Sequence, residues 1–126
     1  MRASFVTLHD AGYSDEVAYF ECIHVLKQVV DLLYAQGPSA MHQAISNTAE
    51  FGAFVAAERL DSQELRGQLQ SLLRDIQSGA FAQRFAEDAD AGHPWFNAKR
   101  SAHDAHAIES ASAKVRQTMP WLEKDA

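Results

Sequence analysis

Cysteine occurs once in the 126 residues, at Cys22, so no disulfide can form within the chain. An unpaired thiol suits a reducing compartment, and the expected location is the cytoplasm. Glycine is sparse and scattered, at six residues. None of the six builds a G-x-G-x-x-G turn after a strand, so the chain carries no visible nucleotide-binding loop. Lysine and arginine number 11 against 17 acidic residues, for a net charge of −6. That balance excludes a protein that tracks nucleic-acid phosphates, which needs a basic face. It also offers no basic patch to a membrane surface. The uninterrupted apolar runs fall far short of the ~20 residues of a membrane span. Met1 to Asp10 mixes Arg2, His9 and Asp10 with apolar residues, unlike a signal peptide.

What remains is a globular composition, with 47% hydrophobic and 22% charged residues. One domain over residues 1–126 fits the length. Almost every segment reads as helix, and no strand-like alternation or internal repeat interrupts the pattern. Ser14 is a good N-cap, with Asp15 and Glu16 placed to favour the first turn. The helix continues through Val17, Phe20, Leu26, Val29, Val30 and Leu33. It should stop near Gly37-Pro38. Its apolar face is wide, which predicts burial on more than one side. Pro38 to Ala44 reads as a short helix or turn. Ser46 and Asn47 start the next helix, expected to run to about Val55. Asp61 and Glu64 read as a capping box ahead of Leu65, Leu69, Leu72, Leu73 and Ile76, with a stop at Ser78-Gly79. Phe81, Phe85 and Ala89 imply a short helix before Gly92-His93-Pro94. Trp95 to about Ala102 and Ala105 to Thr118 are the last two. Pro120-Trp121 closes the fold, and Leu122 to Ala126 reads as a loose tail.

Several residues could carry chemistry. Glu21 lies mid-helix beside Phe20, Ile23 and Val25. A buried carboxylate there would need a partner, whereas an edge position would leave it solvated. Glu21 and His24 form Glu-x-x-His, a spacing that brings both ligands onto one face in helical di-metal sites. A packed or solvated His24 explains the same spacing. His103 and His106, with Asp104 between them and His93 upstream, lie at a spacing that can bind zinc. Their polar, alanine-rich surroundings favour a solvated surface. Cys22 reads as a small buried hydrophobe rather than a nucleophile, since only His24 is near to lower its pKa. Ser46 can cap a helix and still present its hydroxyl to an anion at the helix N-terminus.

Together, AGYSDEVAYFECIHVLK (Ala11 to Lys27), VVDLLY (Val29 to Tyr34), ISNTAEFG (Ile45 to Gly52), DIQSGAFAQRF (Asp75 to Phe85), AGHPWFNA (Ala91 to Ala98) and MPW (Met119 to Trp121) resemble the C-terminal domain of ketol-acid reductoisomerase. The segments fall in family order and cover nearly the whole chain. The resemblance implies an all-α domain, knotted and intertwined with a second copy. It also implies an N-terminal Rossmann domain that binds NADPH, which this sequence does not contain. Two magnesium ions would sit between the domains and promote an alkyl shift in a 2-hydroxy-3-keto acid before reduction. An Asp and a Glu from a helix ahead of this region would hold the metals with two Glu one turn apart. The first Glu of that pair matches Glu21, and the second falls on Val25. The family's substrate-contacting Ser matches Ser46, with Ile45 and Ala49 at pocket positions. Val29 continues the Glu21/Val25 face.

Magnesium takes about six oxygens, and Glu21 without its pair cannot hold two such ions. The expectation is therefore a chain with no cofactor of its own and no two-magnesium reaction. One reading is a repurposed relative that binds a small 2-hydroxy or 2-keto acid, its carboxylate at Ser46 and its aliphatic part against Val25 and Val29. An apolar pocket around Glu21 would raise its pKa and suit it to acid/base work. A second is a non-catalytic dimerisation or binding module, with a separate Rossmann-domain protein as partner. A third is a fragment or degenerate copy of the full enzyme. A homodimer is expected in any case, because the face from Val17 to Leu33 needs more cover than the remaining short helices supply.

Overall fold

The computed structural model describes residues 1–121, and every regular element among them is a helix. The tail expected over 122–126 lies outside the described residues. The chain forms two compact units, residues 1–41 with 100–126, and residues 42–99.

The first unit opens with α1 (Arg2–Asp10), a helix that the sequence reading had not assigned. It is followed by α2 (Asp15–Tyr19), a π-helical turn (Phe20–His24) and α3 (Val25–Gln36). Backbone angles stay helical across both joins, so Asp15 to Gln36 is one rod with a widened turn inside it. Ser14 caps it as expected, its Oγ accepting from the Val17 N–H at 3.3 Å. It ends where Gly37 takes φ +83°, a conformation that costs glycine little. α4 (Pro38–Ala44) begins in this unit. The unit closes with α9 (Ala107–Gln117), which packs on α2.

Phe5, Ala18 and Ala111 form the core, with Leu8, Tyr19, Cys22 and Ile108 packed against it. Removing the Phe5 side chain from water contributes ~2–3 kcal/mol. Tyr19 accepts a hydrogen bond from the Ser112 hydroxyl at 3.0 Å, and Lys114 donates to Glu16 at 2.8 Å. Both tie α2 to α9 across more than 90 residues of sequence. Cys22 is thus half-buried against the core, in keeping with its reading as a small hydrophobe.

The second unit holds α5 (Asn47–Leu60), α6 (Gln63–Gln77) and α7 (Ala80–Asp90), and α8 (Pro94–Asp104) starts within it. α5 runs five residues beyond the expected Val55, because nothing in Ala56 to Leu60 breaks a helix. The cap of α6 also differs from expectation. Ser62, not Asp61, accepts from the Leu65 N–H at 3.1 Å. Asp61 is drawn away by Arg66, whose Nε and Nη2 donate to its two oxygens at 3.0 and 2.8 Å. Asp88 of α7 caps α8 instead of any local residue, accepting from Trp95 N–H at 2.8 Å and Phe96 N–H at 3.2 Å. The turn between them uses two left-handed residues, Gly92 (φ +83°) and His93 (φ +61°).

The expected burial of the long helix on several sides does not occur within the chain. No residue of α3 is buried, and Val30 remains 47% exposed. The second unit goes further, with no buried residue from 42 to 99. Among the described residues, no helix is long and apolar enough to cross a membrane.

Candidate functional site

Glu21 sits in the π turn. The Val25 N–H reaches back five residues to the Phe20 carbonyl, which inserts one extra residue into the helical register. Such single-turn bulges occur often at functional sites. Glu21 itself is exposed, so this chain alone does not supply the apolar enclosure expected around its carboxylate. Val25 and Val29 are half-buried and lie four apart at the start of α3, on one face.

The π turn also separates Glu21 from His24. The His24 ring stacks on Phe20, with centroids 4.6 Å apart, and thereby joins the face of the residue four before it. In a widened turn, residues three apart diverge around the axis, so the Glu-x-x-His spacing does not deliver two ligands to one side. The histidine pair near the C-terminus is divided between two helices. His103 belongs to α8, while His106 caps α9, its Nδ1 accepting from the Ile108 N–H at 3.1 Å. No group of three or more His, Cys, Asp or Glu side chains placed to hold a metal occurs among the described residues.

Ser46 lies in the second unit, at the head of α5. With φ −67° and ψ 150°, it accepts from the Ala49 N–H at 3.2 Å through Oγ. The two sequence-level readings of Ser46 are compatible. A hydroxyl accepts at its lone pairs and donates through its proton, so capping leaves the O–H free for an anion. Helix geometry leaves the N–H groups of Asn47 and Thr48 without an intrahelical acceptor, and the helix dipole adds positive potential at the same place. Ile45 is half-buried, while Ser46 and Ala49 are exposed. Thus Glu21, Val25 and Val29 belong to one unit, and Ile45, Ser46 and Ala49 to the other.

Sequence reasoning missed an open aromatic pocket of about 310 Å³ in the second unit, lined by Phe81, Arg84, Phe85, Asp88, Trp95 and Phe96. The Arg84 guanidinium lies 4.6 Å from the Trp95 ring centroid, a cation–π contact that roofs part of it. Aromatic pairs on both sides of Gly92-His93-Pro94 were the available signal.

Residues 1–121 match the family model for the ketol-acid reductoisomerase C-terminal domain. Among solved structures, the chain is similar to an NADH-preferring ketol-acid reductoisomerase from an uncultured archaeon. The TM-score is 0.88 and the identity 34%, over 92% of this chain and 35% of that one. The present sequence therefore spans about a third of that enzyme's length.

Proposed function

Because this chain belongs to the ketol-acid reductoisomerase family through its C-terminal domain, we propose that it supplies the helical portion of a site for a small 2-hydroxy or 2-keto acid, without two-magnesium chemistry. The observation that carries this reading is Val25, an aliphatic residue one turn beyond Glu21 where the family pattern places the second metal-binding carboxylate.

The donor set does not fit the family's metals. Magnesium is a hard ion that takes oxygen ligands. Glu21 offers a carboxylate and Val25 offers no donor at all. Nor do the described residues fit the family's nicotinamide cofactor, since they contain no strand from which a dinucleotide-binding unit could be built.

The chain's own residues keep definite roles in the proposal. The Ser46 hydroxyl and the free N–H groups of the first turn of α5 take the ligand's carboxylate, with Ile45 and Ala49 beside them. In the first unit, Val25 and Val29 form an aliphatic face. Glu21, carried outward by the π turn, accepts or returns a proton. A homodimer, in which the second copy covers the exposed α3 face, is part of this reading. It is supported by the exposure of Val17, Phe20, Leu26, Val30 and Leu33. Residence in the cytoplasm accords with the single cysteine.

The test is a calorimetric titration with a short branched 2-hydroxy acid, without magnesium, on the native protein and on Glu21→Gln. The proposal expects saturable binding that survives Glu21→Gln, since the carboxylate end is elsewhere, and any turnover should be lost in that variant. Absence of binding at millimolar acid would leave the non-catalytic module and the fragment of a full-length reductoisomerase. The module has one observation in its favour, the exposure of Glu21.

A further inference from the structure

Glu21 has no contact of its own to aim it. Its side chain is exposed and makes no hydrogen bond or ion pair among the described residues. The direction of the carboxylate is therefore set by the backbone, which at this place is the π turn Phe20–His24. Such turns are rare, and what packs beside this one decides how it is held.

Both flanks of Glu21 are fixed from outside the helix. Tyr19, two residues earlier, is the last residue of α2, and the π turn starts directly after it. Tyr19 packs on the Phe5, Ala18 and Ala111 core, and so does Cys22, one residue after Glu21. The Tyr19 hydroxyl accepts from Ser112 Oγ at 3.0 Å. Ser112 is a buried polar side chain on α9, 8% exposed. Residues two apart on a helix lie about 200° apart around its axis, nearly on opposite sides. With Tyr19 drawn inward to α9, Glu21 is turned outward. The other tie from α9, Lys114 to Glu16 one turn earlier, lies in water and holds the rod only weakly. The hydroxyl pair is sheltered, and either partner left alone would be an unpaired polar group.

We infer that Ser112 is a positioning residue for Glu21. Through the Tyr19 hydroxyl it fixes the rotation of the rod over 15–36 where the π turn begins, and with it the direction in which the carboxylate leaves the helix. The inference rests on the proton-transfer role given to Glu21 in the proposed function, and it adds a residue that touches neither the ligand nor the carboxylate. Affinity and proton transfer should then separate. The carboxylate end of the ligand is assigned to Ser46 in the other unit, so an acid should bind a Ser112 variant as it binds the native chain.

The experiment is amide hydrogen exchange by NMR on the whole chain, native and as Ser112→Ala, Tyr19→Phe and the double variant, with urea titrations of the same samples. Each single variant leaves one hydroxyl unpaired and lowers global stability, whereas the double variant removes both partners and restores most of it. The Val25 N–H donates to the Phe20 carbonyl across the π turn. Its exchange should rise about fivefold beyond the global change in all three variants, one hydrogen bond's worth, while the amides of α1 follow the global change alone. A Val25 amide that follows the global change in every variant would make Ser112 a merely structural residue and overturn the inference. So would a double variant in which exchange at Val25 returns to the native rate along with stability. Calorimetric titration of the same samples with a short branched 2-hydroxy acid keeps the two proposals apart. A native chain that binds no acid defeats only the functional reading, and unchanged exchange at Val25 in a chain that binds acid defeats only the inference. Any turnover of the acid should show a lower kcat with unchanged KM in Ser112→Ala, and a change in KM alone would count against the positioning role.

Discussion

Ser46 is the position where stability and binding can be separated by two substitutions. Its Oγ accepts from the Ala49 N–H at 3.2 Å, and its proton is free for a ligand. Ser46→Ala removes both functions. The lost cap should cost ~1 kcal/mol. For a chain of this length that corresponds to a fall of about 3–6 °C in melting temperature. Ser46→Asp keeps an acceptor at the cap and places a negative charge at the positive end of α5, so stability should hold or rise slightly. The same charge lies where the ligand carboxylate is proposed to bind. Two unit charges ~4 Å apart repel by ~1 kcal/mol in water and ~4 kcal/mol at an effective dielectric of ~20. Affinity for a 2-hydroxy acid should therefore drop between about fivefold and a thousandfold in Ser46→Asp. Ser46→Ala should lose about fivefold, one hydrogen bond's worth. Thermal melts and calorimetric titrations on the three proteins provide the assay. An Asp variant that binds acid as well as the native protein would refute the placement of the carboxylate at Ser46. An Ala variant of unchanged stability would refute the cap.

Three further outcomes follow from named contacts. Val25→Glu puts a second carboxylate one turn from Glu21, and calorimetry should detect magnesium affinity above that of the native chain; equal affinity would show that the π turn keeps the two side chains from converging. Asp88→Ala strips the acceptor from the Trp95 and Phe96 N–H groups and should lower stability by ~1–2 kcal/mol in urea titrations, with Asp88→Asn intermediate. Glu16 has a pKa held below its ordinary value by the hydrogen bond from Lys114, whose own pKa is raised by the same contact. The depressed carboxylate contributes stability present above its unfolded pKa of about 4.5 and lost as pH falls through the lower folded value, while the raised ammonium's contribution is lost as pH rises through its folded pKa above 10.5. Both groups are fully exposed, so the effect is small. Lys114→Met should flatten the acid limb of the urea midpoint against pH, and an unchanged limb would show that the pair does not persist in solution.

The helix ends were legible because their causes are local. Ser14 and Ser46 cap through their own hydroxyls, and Gly37 and Gly79 stop helices by adopting positive φ. Asp61 was misread as the cap of α6 because Asp61 and Ser62 are both competent, and a salt link to Arg66 settled which of them served. The π turn was invisible because periodicity records which residues are apolar, not which carbonyl each N–H chooses. The surroundings of His106 favoured a solvated surface over a metal ligand, and only the backbone path past α8 turned its ring into a cap. Of the candidate residues, identity at Glu21, Val25 and Ser46 was plain in the sequence, but exposure at Glu21 was not.

The sequence by itself determined an all-α chain, the positions of most caps and stops, and the family. These follow from side-chain chemistry and short-range geometry. Only the tertiary structure decided that Phe5, Ala18 and Ala111 form the core, that Asp88 reaches seven residues forward to start α8, and that Glu21 rides a widened turn into solvent. It also showed that residues 42–99 enclose nothing. Amphipathic periodicity states that a face must be covered, but it does not state by what. That answer depends on which surfaces the folded chain brings together, and over α5 to α8 it brings together too few.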